Sequence, residues 1–373
     1  MKRALALALL ATPALAAPTA TPAPTPTPTP PAPPIAGKLL PVSGDFAIKD
    51  FTFASGEKLP ELRIHYMTLG TARKDARGHI SNAVIVMHGT GGSGQQFLRP
   101  QFAETLYGPG QPLDLTKYFV ILPDDIGHGG SSKPSDGMHA RFPHYGYKDM
   151  VAAEHALVVD GLQIDHLRLV MGTSMGCMHS WMWLEQWPAM MDAAMPLACL
   201  PTAIAGRNRA WRKIAIDAIE QDPAWNHGEY KQQPRAAMMT AYALLTIAGS
   251  SPLADQKRLA TRDAVDRDVA ATEARFAAER DANDLMYQLA SSSDYDPSAE
   301  LERITAPVVL VNSSDDFINP PELGLAEKLI KRVKRGKYVL IPASEATHGH
   351  GTHTWGAFWA KHLQQLLDAT AKQ

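Results

Sequence analysis

The sequence predicts an α/β fold: a mostly parallel, eight-stranded sheet with helices on both faces and a helical cap insertion. Three observations predict it. From about residue 40, strand-like and helix-like patterns alternate along the chain. Six short apolar runs are continuous rather than alternating, as strands buried on both faces are. One long stretch, 202–300, interrupts that rhythm with helical periods and no strand-like run.

The elements follow in order. Residues 46–53 and 62–70 read as an opening antiparallel pair. The apolar runs are Ala83–His88, Tyr118–Pro123, Leu167–Gly172, Ala193–Cys199, Pro307–Asn312 and Lys337–Pro342. Helical spacing is present over 148–163, 175–187 and 322–334, and the Met and Trp residues of 175–187 read as core packing. The core is therefore expected over 38–200 and 301–373, with 201–300 as a cap over the C-terminal edge of the sheet, where open α/β folds keep their sites.

The N-terminus reads as an address. Lys2 and Arg3 precede the apolar residues 4–12, and Ala14-Leu15-Ala16 supplies a small-x-small cleavage pattern. Residues 1–16 are thus expected to be a signal peptide cleaved near Ala16, and the mature chain to be exported. No Cys follows the apolar stretch to carry a lipid, and no run approaches the ~20 apolar residues of a membrane span. Residues 17–37, almost all Ala, Pro and Thr, read as a stiff spacer without a core.

Composition excludes other classes. Charged residues are 20% of the chain and the formal net charge is −2, so no basic field invites nucleic acid. The two cysteines, Cys177 and Cys199, fall in apolar segments and read as buried free thiols. No motif for a cofactor or a metal is identified; the partner expected is a small-molecule acyl substrate, with a homodimer allowed.

The chemistry is expected at Gly172-Thr173-Ser174-Met175-Gly176. A Gly-x-Ser-x-Gly match alone has roughly a one-in-ten chance in a chain this long. Its setting is specific, because a strand precedes Ser174 and a helix follows it. Such an elbow presents the serine as a nucleophile and aims the amide of Met175 at a developing oxyanion. The second donor is expected at Gly89 or Thr90, in the loop His88-Gly89-Thr90-Gly91-Gly92-Ser93, with His88 ordering that loop. No Lys-Ser/Thr follows, so the loop is not a phosphate cradle.

The acid is expected after Pro307–Asn312, at Asp316 in preference to Asp315, in a turn closed by Pro320. The base is expected in Thr347-His348-Gly349-His350-Gly351-Thr352-His353. His350, flanked by glycines, has the best access, and His348 and His353 read as supporting residues. No carboxylate or cysteine cluster accompanies these three histidines to make a metal site. Asp124 and His128 read as turn-forming residues.

These motifs together resemble the homoserine O-acetyltransferase-like branch of the α/β hydrolases. The likeness runs from about residue 60 to 365. It rests on Tyr147-Lys148-Asp149-Met150-Val151, the elbow with Cys177-Met178, Trp187-Pro188, and Tyr107-Gly108-Pro109-Gly110 with Leu113-Asp114. In the insertion it rests on Ala215-Ile216, Asp222-Pro223-Ala224-Trp225, Gly228-Glu229-Tyr230 and Asp281-Ala282-Asn283. The resemblance implies the α/β-hydrolase fold, with Ser174 as nucleophile, Asp316 as acid and His350 as base.

Three departures shift the expected activity. The acetyltransferases usually carry an Asp directly after the catalytic His, suited to the substrate's amino group; Gly351 stands there. The oxyanion loop is glycine-rich as in esterases, and Ser131-Ser132-Lys133-Pro134 replaces the usual Gly-Ser-Thr-Gly-Pro-like run. An exported chain would also lack acetyl-CoA. The expectation is a serine hydrolase of esterase type, with acyl transfer to an alcohol as the alternative; Arg207, Arg209 and Arg212 are candidates for a substrate-facing cation.

Overall fold

A computed structural model describes residues 39–371. The expected signal peptide, its cleavage site near Ala16 and the spacer 17–37 lie outside the described residues.

Eight strands form one sheet: β1 (Val42–Thr52), β2 (Lys58–Leu69), β3 (Ala83–Met87), β4 (Phe119–Pro123), β5 (Leu169–Thr173), β6 (Ala194–Leu197), β7 (Val308–Ser313) and β8 (Gly336–Ile341). Their spatial order is β1-β2-β4-β3-β5-β6-β7-β8. β1 pairs antiparallel with β2, and β2 with β4. Every other pairing is parallel. The order reverses around β3, which lies between β4 and β5, so the loops leaving the C-terminal ends of the central strands converge there.

The continuous apolar runs become strands because both faces of the sheet are covered. Side chains alternate across the pleat and sort into two cores. Ile85, Met87, Val170 and Leu310 face α2 (Tyr147–Ala156), α3 (Met175–Gln186) and α9 (Leu325–Ile330). Val84, Val86, Leu169 and Met171 face α1 (Pro100–Leu106) and α10 (Ala360–Ala369).

Between β6 and β7 lie five helices: α4 (Gly206–Gln221), α5 (Arg235–Ala248), α6 (Pro252–Arg258), α7 (Arg262–Glu279) and α8 (Ala282–Ala290). Asp281 caps α8 by accepting from the amides of Asn283 and Asp284. Trp225 and Tyr230 tie the turn after α4 to α8, through Asn283 Oδ1 at 2.7 Å and Asp281 Oδ2 at 2.6 Å. Among the described residues no single helix is long and apolar enough to cross a membrane.

The structure differs from the sequence expectation at three places. The helix expected over 148–163 ends at Ala156 and continues as one wide turn, Leu157–Gly161. The helix expected over 322–334 is shorter, because Gly324 at φ 63° separates the turn Pro321–Leu323 from α9. Cys177 and Cys199 are not free thiols: they form a disulfide that joins the first turn of α3 to the segment just after β6. Strand β6 lies beside β5 in the sheet, so the two side chains meet although 22 residues separate them.

Candidate active site

Ser174 sits between the last residue of β5 and the first of α3, at φ 55° and ψ −107°. A non-glycine residue there is strained by roughly 1–3 kcal/mol, so its surroundings must hold it. The Ser174 amide donates to Leu197 O at 2.8 Å, and the Gly176 amide to His88 O at 2.9 Å. Both motif glycines are required by close approach. A Cβ on Gly172 would collide with the backbone of Gly176, and one on Gly176 with the carbonyl of Met87.

His350 reaches Ser174 from the loop after β8. Its Nε2 is 2.8 Å from Ser174 Oγ, and its Nδ1 is 2.8 Å from Asp316 Oδ2. Asp316 is 2% exposed. Its Oδ1 accepts from the amides of Ile318 and Asn319, and its Oδ2 also accepts from Asn319 Nδ2 at 3.1 Å. Burial alone would raise this carboxyl. The positive potential of His350 and the hydrogen bonds from His350 and Asn319 outweigh it and hold Asp316 below the usual carboxylate range.

Asp315 turns the other way. Its Oδ2 accepts from Ser251 Oγ at 2.9 Å, Thr347 Oγ1 at 2.8 Å and the Gly349 amide at 3.1 Å, and Ser313 Oγ bonds its Oδ1. It therefore ties the residue that precedes α6 to the histidine loop. His353 is half-buried, with its Nδ1 against His350 O. Burial first, and then the neighbouring His350, push it down to about 3. His348 stacks on Trp355 with ring centroids 4.1 Å apart. Both nitrogens of His350 are engaged, so the three histidines do not converge on a common cation.

Gly89 lies against the serine: a Cβ placed on it would be 3.2 Å from Ser174 Cβ. Met175 opens α3, so its amide has no intrahelical acceptor. His88 orders the loop, its Nδ1 bonding Gly89 O at 2.9 Å while its Nε2 accepts from the Asp125 amide at 3.1 Å. The Gly92 amide closes the turn onto Gly89 O at 2.9 Å, with Thr90 inside it. The structure thus brings Ser174, His350, Asp316, Gly89 and Met175 together, with Thr90 beside Gly89. Asp124 gathers the amides of Gly94 and Gly130 and the ring of His65, a turn-forming arrangement.

Sequence reasoning missed Asn319, whose Nδ2 bonds both Asp316 Oδ2 and Ala198 O. Its only signal is its place three residues past Asp316. A cavity of about 780 Å³ adjoins Asp316, lined by Met178, Leu200, Ile204, Arg207, Phe317 and Ile318. A second, of about 800 Å³, lies against Thr90 and is lined by charged residues including Arg99, Lys133, Arg280 and Asp284. Arg212, on α4, is 2% exposed; its Nε donates to Asn208 Oδ1 at 3.1 Å, while its Nη1 meets no acceptor among the described residues.

The comparisons agree with this architecture. Residues 82–347 match the α/β hydrolase fold family. The homoserine O-acetyltransferase of Pelobacter propionicus is 30% identical over 357 residues, covering 84% of this chain and 93% of that protein. A probable acyltransferase of Methanothermobacter thermautotrophicus is 30% identical over 74% of this chain and 84% of that protein. Among solved structures, the acetyl esterase MekB superposes with a TM-score of 0.76 at 23% identity, covering 88% of this chain and 97% of that one. The homoserine O-acetyltransferase of Bacillus anthracis superposes with a TM-score of 0.74 at 20% identity, covering 89% and 98%. The chain is an enzyme of the α/β-hydrolase fold family and belongs to its homoserine O-acetyltransferase-like branch.

Proposed function

We propose that this enzyme is an esterase-type serine hydrolase acting through Ser174, His350 and Asp316. The observation that carries the reading is the unbroken line of hydrogen bonds from Asp316 through His350 to Ser174 Oγ, 2.8 Å at each step. His350 takes the serine proton as Oγ attacks the acyl carbon, and Asp316 stabilises the imidazolium. The amides of Gly89 or Thr90 and of Met175 receive the oxyanion. His350 then protonates the leaving alcohol, and water, deprotonated by the same ring, releases the acid.

Acyl transfer to an alcohol is the second reading, and Arg207, which lines the cavity beside Asp316, favours it. A guanidinium there invites an acceptor carrying a carboxylate. Against homoserine stands Gly351, where the side chain that would meet the substrate's ammonium is absent. A buried ammonium left unpaired costs several kcal/mol. At about 1.4 kcal/mol per tenfold, that is enough to erase a preference for homoserine over water.

Residues 201–300 serve in this reading as a cap over a small-molecule acyl site, in an exported chain that begins near Ala17. The test supplies aryl esters of graded chain length in water, and separately acetyl-CoA with homoserine. Ester hydrolysis with little O-acetylhomoserine is expected, and Ser174→Ala lowers turnover by about 10⁶. Efficient acetylation of homoserine would overturn the hydrolase reading. N-terminal sequencing of exported protein checks the cleavage site.

A further inference from the structure

Five buried titratable side chains behind the elbow have no part in the reaction above: His88, Asp125, His128, Glu154 and His179. Asp125 follows β4, Glu154 lies on α2 and His179 on α3, yet their polar atoms lie within 4.8 Å of one another. Glu154 is satisfied as a carboxylate. Its Oε1 bonds His179 Nδ1 at 2.8 Å, and its Oε2 accepts from Trp183 Nε1 at 2.7 Å.

Asp125 is not satisfied in that form. Among the described residues, no N–H or O–H donates to either of its oxygens. His88 Nε2 stands 3.5 Å away and His179 Nδ1 3.7 Å away, and both are engaged elsewhere. His88 Nε2 accepts from the backbone amide of Asp125 itself, so it carries a lone pair; the His179 Nδ1 proton goes to Glu154. An ionised Asp125 would be a bare anion facing a second carboxylate with no cation in contact, which burial penalises severely. As an acid, it has Glu154 to donate to.

Burial first, and then the charge of Glu154, push Asp125 well above its ordinary range. Burial raises Glu154 too, up to about 7. Both Glu154 oxygens already accept from ring N–H groups and neither Asp125 oxygen does, so the geometry places the proton on Asp125. Of the other groups facing the pair, His179 and His88 oppose the rise of Asp125 without cancelling it. Burial pushes His179 down and His128 well down, and Tyr147, packed on His179 at 4.8 Å, is raised by burial.

We propose that Asp125 is a neutral carboxylic acid at neutral pH, donating its proton to Glu154, and that this singly charged pair positions the oxyanion loop. The link is His88. The pair fixes Asp125, whose amide occupies His88 Nε2 and so keeps the ring proton on Nδ1, aimed at Gly89 O. The carbonyl of His88 in turn accepts from the Gly176 amide, one residue past Met175. One residue therefore sets both sides of the oxyanion site.

The charge state stands on the buried geometry; its consequence rests on the oxyanion reading given above. Infrared spectroscopy of the full chain at pH 7 should contain the carbonyl band of a buried neutral carboxylic acid, absent in Asp125→Asn. The second readout is the rate of Ser174 labelling by a fluorophosphonate, with kcat and KM on an aryl acetate. Asp125→Leu should slow labelling and lower kcat by about tenfold or more, with KM little changed. Asp125→Asn, whose amide can still donate to Glu154, should recover to within about threefold of the native rate. Glu154→Gln should behave like Asp125→Leu, because His179 and Trp183 reach different oxygens of Glu154 and the amide nitrogen that replaces one of them cannot accept. The proposal is overturned if the native chain lacks the band, if Asp125→Asn is as slow as Asp125→Leu, or if the native chain holds a stoichiometric divalent metal that Asp125→Asn loses. If the native serine takes no label at all, the hydrolase reading fails, and the infrared band still decides the shared proton.

Discussion

Gly89 and Ser174 are packed so closely that a methyl group on Gly89 would sit 3.2 Å from the serine Cβ and 3.8 Å from its Oγ. That contact is tighter than a comfortable van der Waals approach, and relief would move either Ser174 or the loop that carries Gly89. Gly89→Ala should therefore lower kcat on aryl acetates by about 10- to 100-fold while the fold survives. Steady-state kinetics with a thermal melt check it; an unchanged kcat would mean the loop is not part of the site.

Asp315 and Asp316 are neighbours with opposite duties. Asp316→Asn leaves the shape but disturbs the orientation of His350, and should lower kcat by about 10⁴. Asp315→Ala removes the acceptor of Ser251, Thr347 and Gly349. It should lower the melting temperature and cost activity far less. A larger activity loss at Asp315 would exchange the two roles.

Much of this was legible in the chain. The run Leu167–Gly172 reads as a buried strand, and a glycine-flanked serine between it and a helix reads as an elbow, so β5, Ser174 and α3 follow from local pattern. The choice between Asp315 and Asp316 was only weakly legible, because both share one turn; their difference is a partner 34 residues away, Gly349 for one and His350 for the other. The Cys177–Cys199 bond and the Asp125–Glu154–His179 cluster were illegible for a stronger reason. Each depends on which strands are neighbours and how α2 and α3 pack, and no periodicity encodes that. Gly324 shortened α9 because its left-handed conformation ends one turn before the next helix starts.

The disulfide should matter for stability. A cross-link over 22 residues removes enough freedom from the unfolded chain to stabilise the fold by about 3 kcal/mol. The double variant Cys177→Ala/Cys199→Ala should lose about that much in denaturant unfolding. Loss of less than a few tenths of a kcal/mol would mean the thiols are unpaired in solution.

Acid should loosen the histidine loop. Burial would raise Asp315, but hydrogen bonds from Ser313, Thr347, Ser251 and Gly349 hold it below its ordinary value of 3.8. A carboxyl depressed in the folded state stabilises above its unfolded value and loses that contribution as pH falls through the folded one. The window therefore lies below 3.8. Asp315→Asn should flatten the stability-against-pH curve there and leave its shape near neutral pH unchanged. An acid limb as steep as the native one would remove Asp315 from the account.

The proposed reaction places a covalent acyl group on Ser174 and discharges it to water. Rapid quenching during turnover of an aryl acetate, followed by peptide mapping, reads that group directly. Acetyl on Ser174, a burst of phenol equal to the enzyme present, and discharge to acetate at a rate that added homoserine does not change are the expected results. Acetyl on another residue, no acetyl-enzyme despite turnover, or O-acetylhomoserine as the main product would contradict that reaction.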